Sequence, residues 1–190
     1  MEVVAGLLRR GMTAVVPTDT VYGVAALPSV TGATDGLFAL KDRSRRHPLA
    51  VLVADAQQAL GLLAEVGADV RRWMERLWPG PLTIVGRRSE AAMALELGGD
   101  PTTIGVRCPD HAFLRALAAS VGPVATTSAN RTGEPTPTTA LDAAAALATT
   151  VGAVVDGGPS GTTPSTVVDT TSEPWRLLRL GAVAEQDLRS

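Results

Sequence analysis

Short valine-rich apolar runs alternate along this chain with stretches of helical periodicity, and most runs end in a loop of proline, glycine, serine or threonine. A run of only a few β-branched or small apolar residues is too short for a stable helix and reads as a buried strand. Helical spacing from Val3 to Leu8 stops at Gly11, after which Thr13–Val16 is the first expected strand. Val21–Leu27, Leu49–Ala54, Leu82–Val85, Thr103–Val106, Pro123–Thr126, Val151–Val155, Thr166–Asp169 and Trp175–Leu180 are further apolar runs. Helices are expected to close at Leu40 and to start at the N-cap Asp55, with Ala56, Leu60 and Leu63 inward. Another is expected from Asp69, with Val70, Trp73, Met74 and Leu77 on one face, and others over His111–Val121, over Leu141–Leu147 and at the C-terminal end. The interleaving lacks the regular repetition of a doubly wound sheet. The expected fold is therefore α/β, a twisted mixed sheet with flanking helices. Without a repeat or a compositional break, residues 1–190 are expected to form a single domain.

Composition removes several function classes. With 17 basic and 19 acidic residues and a net charge of −2, bulk attraction to polynucleotides is absent, and contact with RNA would need a local patch. Aromatic residues make up 3% of the chain, too few for a base-stacking platform. Cys108 is the only cysteine, which excludes an intramolecular disulfide and a cysteine-rich zinc site and suits a reducing, cytoplasmic setting. His47 and His111 are the only histidines, a poor basis for multi-histidine metal chemistry. Glu2 precedes the first apolar stretch and Arg9 and Arg10 follow it, the reverse of a signal peptide's charge order. No apolar run reaches the roughly 18 residues of a membrane span. The basic residues are uneven, since Lys41 is the only lysine beside sixteen arginines.

Chemistry concentrates in loops at strand ends, where α/β proteins place ligands. These are PTDTVYG at Pro17–Gly23, KDRSRRHP at Lys41–Pro48, TSAN at Thr127–Asn130 and PSTVVD at Pro164–Asp169, with Arg107 ending the strand in TIGVRCP. Lys41, Arg43 and Arg107 are cations suited to carboxylate or phosphate, and the guanidinium offers a bidentate fork. Thr18, Thr20, Thr126, Ser128, Asn130 and Ser165 add hydroxyls and an amide that orient polar atoms. No GxxxxGK[ST], GxGxxG or GxSxG motif is present, so standard nucleotide loops and a nucleophile elbow are excluded. The residues alone specify an α/β domain for a small, anionic, oxygen-rich ligand.

PTDTVYG, the pair Lys41 and Arg43, GVRCP, the pair Ser128 and Asn130, and PSTVVD occur in the order found in the YrdC-like family of threonylcarbamoyl-AMP synthases, which the chain resembles from Gly11 to Gly181. The resemblance implies a YrdC-like fold enclosing a cationic cavity. It also implies a nucleotidyltransferase that makes threonylcarbamoyl-AMP and pyrophosphate from L-threonine, bicarbonate and ATP. A partner transferase would then pass the threonylcarbamoyl group to tRNA. Carried over by position, Thr20, Arg107, Thr126 and Ser165 would contact threonine, and Lys41, Arg43, Thr103, Ser128, Asn130 and Arg179 would serve ATP. Lys41 and Arg43 would be catalytic, with magnesium on the triphosphate. A 190-residue chain would be the single-domain form, without the C-terminal domain of longer members.

His47 stands where asparagine or lysine is common in the family, and Leu52 where some longer members have histidine. Arg45 and Arg46 fit either surface charge or a weak tRNA-facing patch, while Arg71, Arg72 and Arg76 fit a solvated helix face. TSAN also suits a helix N-cap, Cys108 a buried apolar residue, and Asp156 and Asp169 structural hydrogen bonds. An RNA-binding module and a paralogue that adenylates another carbamoylated small molecule are the alternatives.

Overall fold

In strand β1 (Ala14–Val16), Val15 faces one side of the sheet and Ala14 and Val16 the other, and all three are fully buried. The same alternation divides β2 (Gly23–Ala26), where Val24 and Ala26 join the core of Val15 while Ala25 joins that of Val16. A strand covered on both faces has no solvent side, so its sequence is apolar throughout. This describes a computed structural model covering residues 1–40, 44–131, 133–147 and 151–189.

Helix α1 (Glu2–Arg9) ends just before Gly11, whose φ of 78° turns the chain into β1. After β2 come α2 (Asp35–Leu40), β3 (Ala50–Leu52), α3 (Ala56–Leu62), α4 (Ala68–Leu77), β4 (Leu82–Arg87) and β5 (Thr103–Arg107). Then follow α5 (Ala112–Val121), β6 (Val124–Ser128), α6 (Ala140–Ala145), β7 (Ala153–Val154), β8 (Thr166–Asp169), β9 (Arg176–Arg179) and α7 (Glu185–Arg189). The described strands form a nine-stranded sheet in the order β7-β1-β2-β6-β3-β5-β4-β8-β9. β1 with β7, β3 with β5 and β4 with β8 are parallel, and the remaining neighbours are antiparallel, which is the expected mixed sheet.

Helices flank both faces. Leu8 of α1 and Leu114 and Leu117 of α5 pack with Val16, Ala25, Leu52 and Val124 on one side. On the other, Leu37, Ala59, Trp73, Ala143 and Leu188 from α2, α3, α4, α6 and α7 cover Val15, Val51, Ile84 and Val168. The C-terminal helix is tied down by Trp73, whose Nε1 donates to Leu188 O at 3.0 Å and whose ring meets Trp175 edge-on at 5.4 Å.

Some local expectations shift. Asp55 caps α3 as expected, accepting from Gln58 N at 2.8 Å; Leu63 is buried and Ala56 and Leu60 pack half-buried against the core as expected, and Ala59 and Leu62 are buried beside them. Asp69 does not cap α4. The cap is Gly67, and Asp69 lies in the first turn paired with Arg72 at 2.8 Å. Among the described residues no helix follows TSAN before Thr139 caps α6, so Ser128 and Asn130 are not helix caps. Among the described residues, no helix is long and apolar enough to cross a membrane.

Candidate functional site

The α1 and α5 core covers only part of its face of the sheet. Leu52 pairs with Arg107 on β5 and with Val124 on β6, and farther along the same strands Ala50 pairs with Gly105 and Thr126. Gly105 in turn pairs with Val85, and Thr83 with Val167. A methyl group and a hydrogen at Ala50 and Gly105 leave the middle of this face recessed. The recess is a cavity of about 420 Å³, within the range of small-molecule sites.

Arg107 ends β5 inside the cavity wall and is 5% exposed. Its Nε donates to Gly80 O at 3.1 Å, Nη1 to Thr20 Oγ1 at 2.9 Å, and Nη2 to Asp19 Oδ1 at 2.6 Å. A guanidinium carries five N–H donors, so two remain for a ligand. Burial pulls its pKa below the ordinary arginine range and the Asp19 charge pulls it back, so it stays cationic. Thr18 Oγ1 donates to Val21 O at 2.6 Å, which makes the Thr20 hydroxyl the donor in their 3.0 Å contact and aims its lone pairs at Arg107. Gly80 approaches so closely that an added Cβ would strike Leu77 O, which explains glycine in the turn that supplies this carbonyl.

Across the cavity, Ser165 Oγ and Thr83 Oγ1 share a 2.8 Å hydrogen bond. Arg179 donates to Ser165 O from Nε at 3.0 Å and from Nη2 at 2.9 Å, so its guanidinium is fixed on the rim. Thr103 and Thr126 line the walls between these groups. Ser128 lines the cavity and donates to Asn130 Oδ1 at 2.6 Å, and the Asn130 amide reaches Glu134 O. Asn130 therefore braces Ser128 and lies outside the cavity lining.

The structure thus brings together Thr20, Thr103, Arg107, Thr126, Ser128, Ser165 and Arg179 around one cavity. Lys41 and Arg43 lie outside the described residues. His47 is exposed and does not line the cavity, although its neighbour Pro48 does, while Leu52 forms part of the lining. Arg45 is ion-paired with Asp35 and stands over the Phe38 ring at 4.9 Å, so it anchors its own turn. Asp156 accepts from Gly158 N at 2.9 Å, and Asp169 from Thr171 Oγ1 at 2.6 Å and Arg176 Nη2 at 2.7 Å, structural bonds in both cases. Sequence reasoning missed Thr83, Asp19 and Arg88. Arg88 braces the start of β5 through Thr103 O at 2.8 Å and the segment before it through Leu95 O at 2.9 Å. A buried arginine always needs a carboxylate or carbonyl partner, but sequence does not show which one.

Cys108 is 2% exposed, and burial pushes its thiol up to about 11. It is a packing residue, and native protein at pH 8 is expected to resist a thiol reagent that labels the denatured chain at once. Labelling of the folded protein at the unfolded rate would overturn this. Between about pH 9 and 11 the unfolded thiol ionises first, so this group lowers stability as pH rises.

A family model described as "Telomere recombination", spanning Sua5, YciO and YrdC proteins, matches residues 6–181. The chain belongs to the Sua5/YciO/YrdC family. It is 34% identical to the threonylcarbamoyl-AMP synthase of Pyrococcus abyssi over 99% of its own length and 56% of that protein's. The chain therefore spans about half of that relative. Identity to the threonylcarbamoyl-AMP synthase of Chromohalobacter salexigens is 36%, over 87% of this chain and 89% of that one. The crystal structure of P. abyssi Sua5 complexed with L-threonine superposes with a TM-score of 0.90 at 33% identity, covering 97% of this chain and 55% of that one. The expected YrdC-like fold, a large twisted sheet flanked by helices, is the fold of this Sua5/YciO/YrdC chain.

Proposed function

We propose that this domain is an enzyme that makes threonylcarbamoyl-AMP and pyrophosphate from L-threonine, bicarbonate and ATP. The observation that carries the reading is a buried Arg107 with two uncommitted N–H donors on a hydroxyl-lined cavity, in a chain 34% identical to a threonylcarbamoyl-AMP synthase. In this reading the threonine carboxylate takes those donors, while Thr20, Thr126 and Ser165 orient the amine and hydroxyl. Thr103, Ser128 and Arg179 lie toward the nucleotide, and Asn130 acts through Ser128.

The amine of threonine takes up bicarbonate as a carbamate with loss of water. A carbamate oxygen then attacks the α-phosphate and pyrophosphate leaves. The carbamate and ATP that meet in this attack are both anionic, so catalysis is positioning plus charge compensation, and no protein nucleophile is needed. Arg107 is already balanced by Asp19, so charge compensation at the phosphates calls for further cations. Lys41 and Arg43 are assigned to the phosphates. Magnesium enters as the counter-ion of ATP, held by phosphates and water. Among the described residues, the cavity lining contains no aspartate or glutamate to hold it. A tRNA threonylcarbamoyl transferase in the cytoplasm would consume the adenylate.

Pyrophosphate release should require both L-threonine and bicarbonate, and release indifferent to threonine would sink the reading. Lys41→Arg, conservative in charge, should cut turnover at least about tenfold, because a phosphate site built for a compact ammonium does not fit a fork. Arg45→Lys should leave turnover near wild type. The RNA-binding alternative uses the cavity with Arg45 and Arg46, and of these two the Arg45 guanidinium is engaged by Asp35 and Phe38.

A further inference from the structure

The geometry points to Asp19 as the positioning residue for the amino-acid carboxylate, acting through Arg107; this rests on the synthase reading above. Asp19 sits between Thr18 and Thr20, both of which line the cavity, yet it does not line the cavity itself. It lines instead a second depression of about 380 Å³, shared with Thr20, Gly80, Asp110 and Gly161, and its side chain is 12% exposed. The Asp19–Arg107 pair is thus a partition between two concavities. Asp19 is outside the lining that a ligand in the first would meet. What it does contact is Nη2 of Arg107, at 2.6 Å.

Three groups fix the guanidinium plane: Gly80 O at Nε, Thr20 Oγ1 at Nη1 and Asp19 Oδ1 at Nη2. Asp19 is the only charged one. A planar fork held at all three nitrogens has no freedom to rotate, so its two remaining N–H groups are aimed before the ligand arrives. Asp19 also limits the affinity of that fork. A ligand carboxylate joins a cation whose charge is already balanced, so orientation carries the recognition. Displacing a binding group by about an ångström can cost on the order of a hundredfold in turnover.

Orientation and charge make opposite predictions for three substitutions. Asp19→Asn keeps an acceptor oxygen in place and removes the charge, Asp19→Glu keeps the charge and moves it one methylene, and Asp19→Ala removes both. The measurements are kcat and KM for L-threonine and ATP, with direct titration of L-threonine in the absence of ATP. We expect the threonine KM to stay within about threefold of wild type for Asn and to rise at least about tenfold for Glu and Ala, with the ATP KM within about twofold throughout. If Ala does not fold, the Asn and Glu pair still decides. A wild-type threonine KM in Glu, an equal rise in Asn and Glu, or a parallel rise in the ATP KM would overturn the assignment. Wild-type protein without threonine-dependent turnover would instead refute the synthase reading on which it rests.

Discussion

Arg107→Ala is expected to lower kcat/KM for L-threonine by roughly 10²- to 10³-fold, the loss typical of removing a buried charged contact. The same change leaves Asp19 without its partner and frees Gly80 O and Thr20 Oγ1. Breaking a buried ion pair from one side costs about 3–5 kcal/mol, so a lowered melting temperature should accompany the lost activity. Arg107→Lys separates the two effects. It retains a cation for Asp19 but not a planar fork, so it should recover much of the stability and little of the threonine affinity. Steady-state kinetics in threonine and in ATP, together with thermal melts of all three proteins, provide the check. A folded Arg107→Ala protein with wild-type kcat/KM for threonine would remove Arg107 from the site.

The second large effect is expected at a residue that does not itself line the cavity. Gly181 follows β9 and lies against the backbone that precedes β8. An added Cβ would overlap Pro164 O and Ser165 C and come within 2.6 Å of Ser165 O. All three are backbone atoms, so no rotamer change relieves the overlap. Thr166 holds the turn in place from below, accepting from Gly181 N at 2.9 Å and Val183 N at 3.0 Å while donating to Val183 O at 2.6 Å. Gly181→Ala should therefore cost about 2–3 kcal/mol, or roughly 4–12 °C in melting temperature for a domain of this size. The overlap also displaces Ser165, on which Arg179 is clamped and with which Thr83 is paired, so turnover should fall even where the variant is fully folded. A wild-type melting curve and rate would show that the turn does not press on Ser165.

Most strands and helices were legible because each carries its own local signal. Val124 and Thr126 are β-branched and follow Gly122 and Pro123, and Asp55 offers a cap that the helix after it uses. Errors came where local signals compete. Asp69 looked like a cap, but Gly67 takes that position and Asp69 serves the first turn through Arg72. Sheet order was not legible at all, since pairing β3 with β5 and β6 depends on which runs meet after collapse. The cavity residues were found because loops at strand ends concentrate hydroxyls and cations. Asp19 escaped notice because its partner lies 88 residues away, and an acid in a loop looks solvated until the arginine opposite it is known to be buried.

The recess in the sheet is made by what does not protrude at Ala50 and Gly105, two positions directly paired in the register. At Gly105 a methyl would meet Thr83 and Val85 at 3.6 and 3.7 Å, ordinary contact distances, and its φ is not in the left-handed region. Nothing in the backbone demands glycine there, so open space is the property the residue supplies. Capacity and chemistry are therefore set by different residues: side-chain size at two floor positions determines how large a guest is admitted, while the polar groups on the walls stay where they are. A bulkier or slimmer guest could be matched from below by changing that floor, without altering a single hydrogen bond.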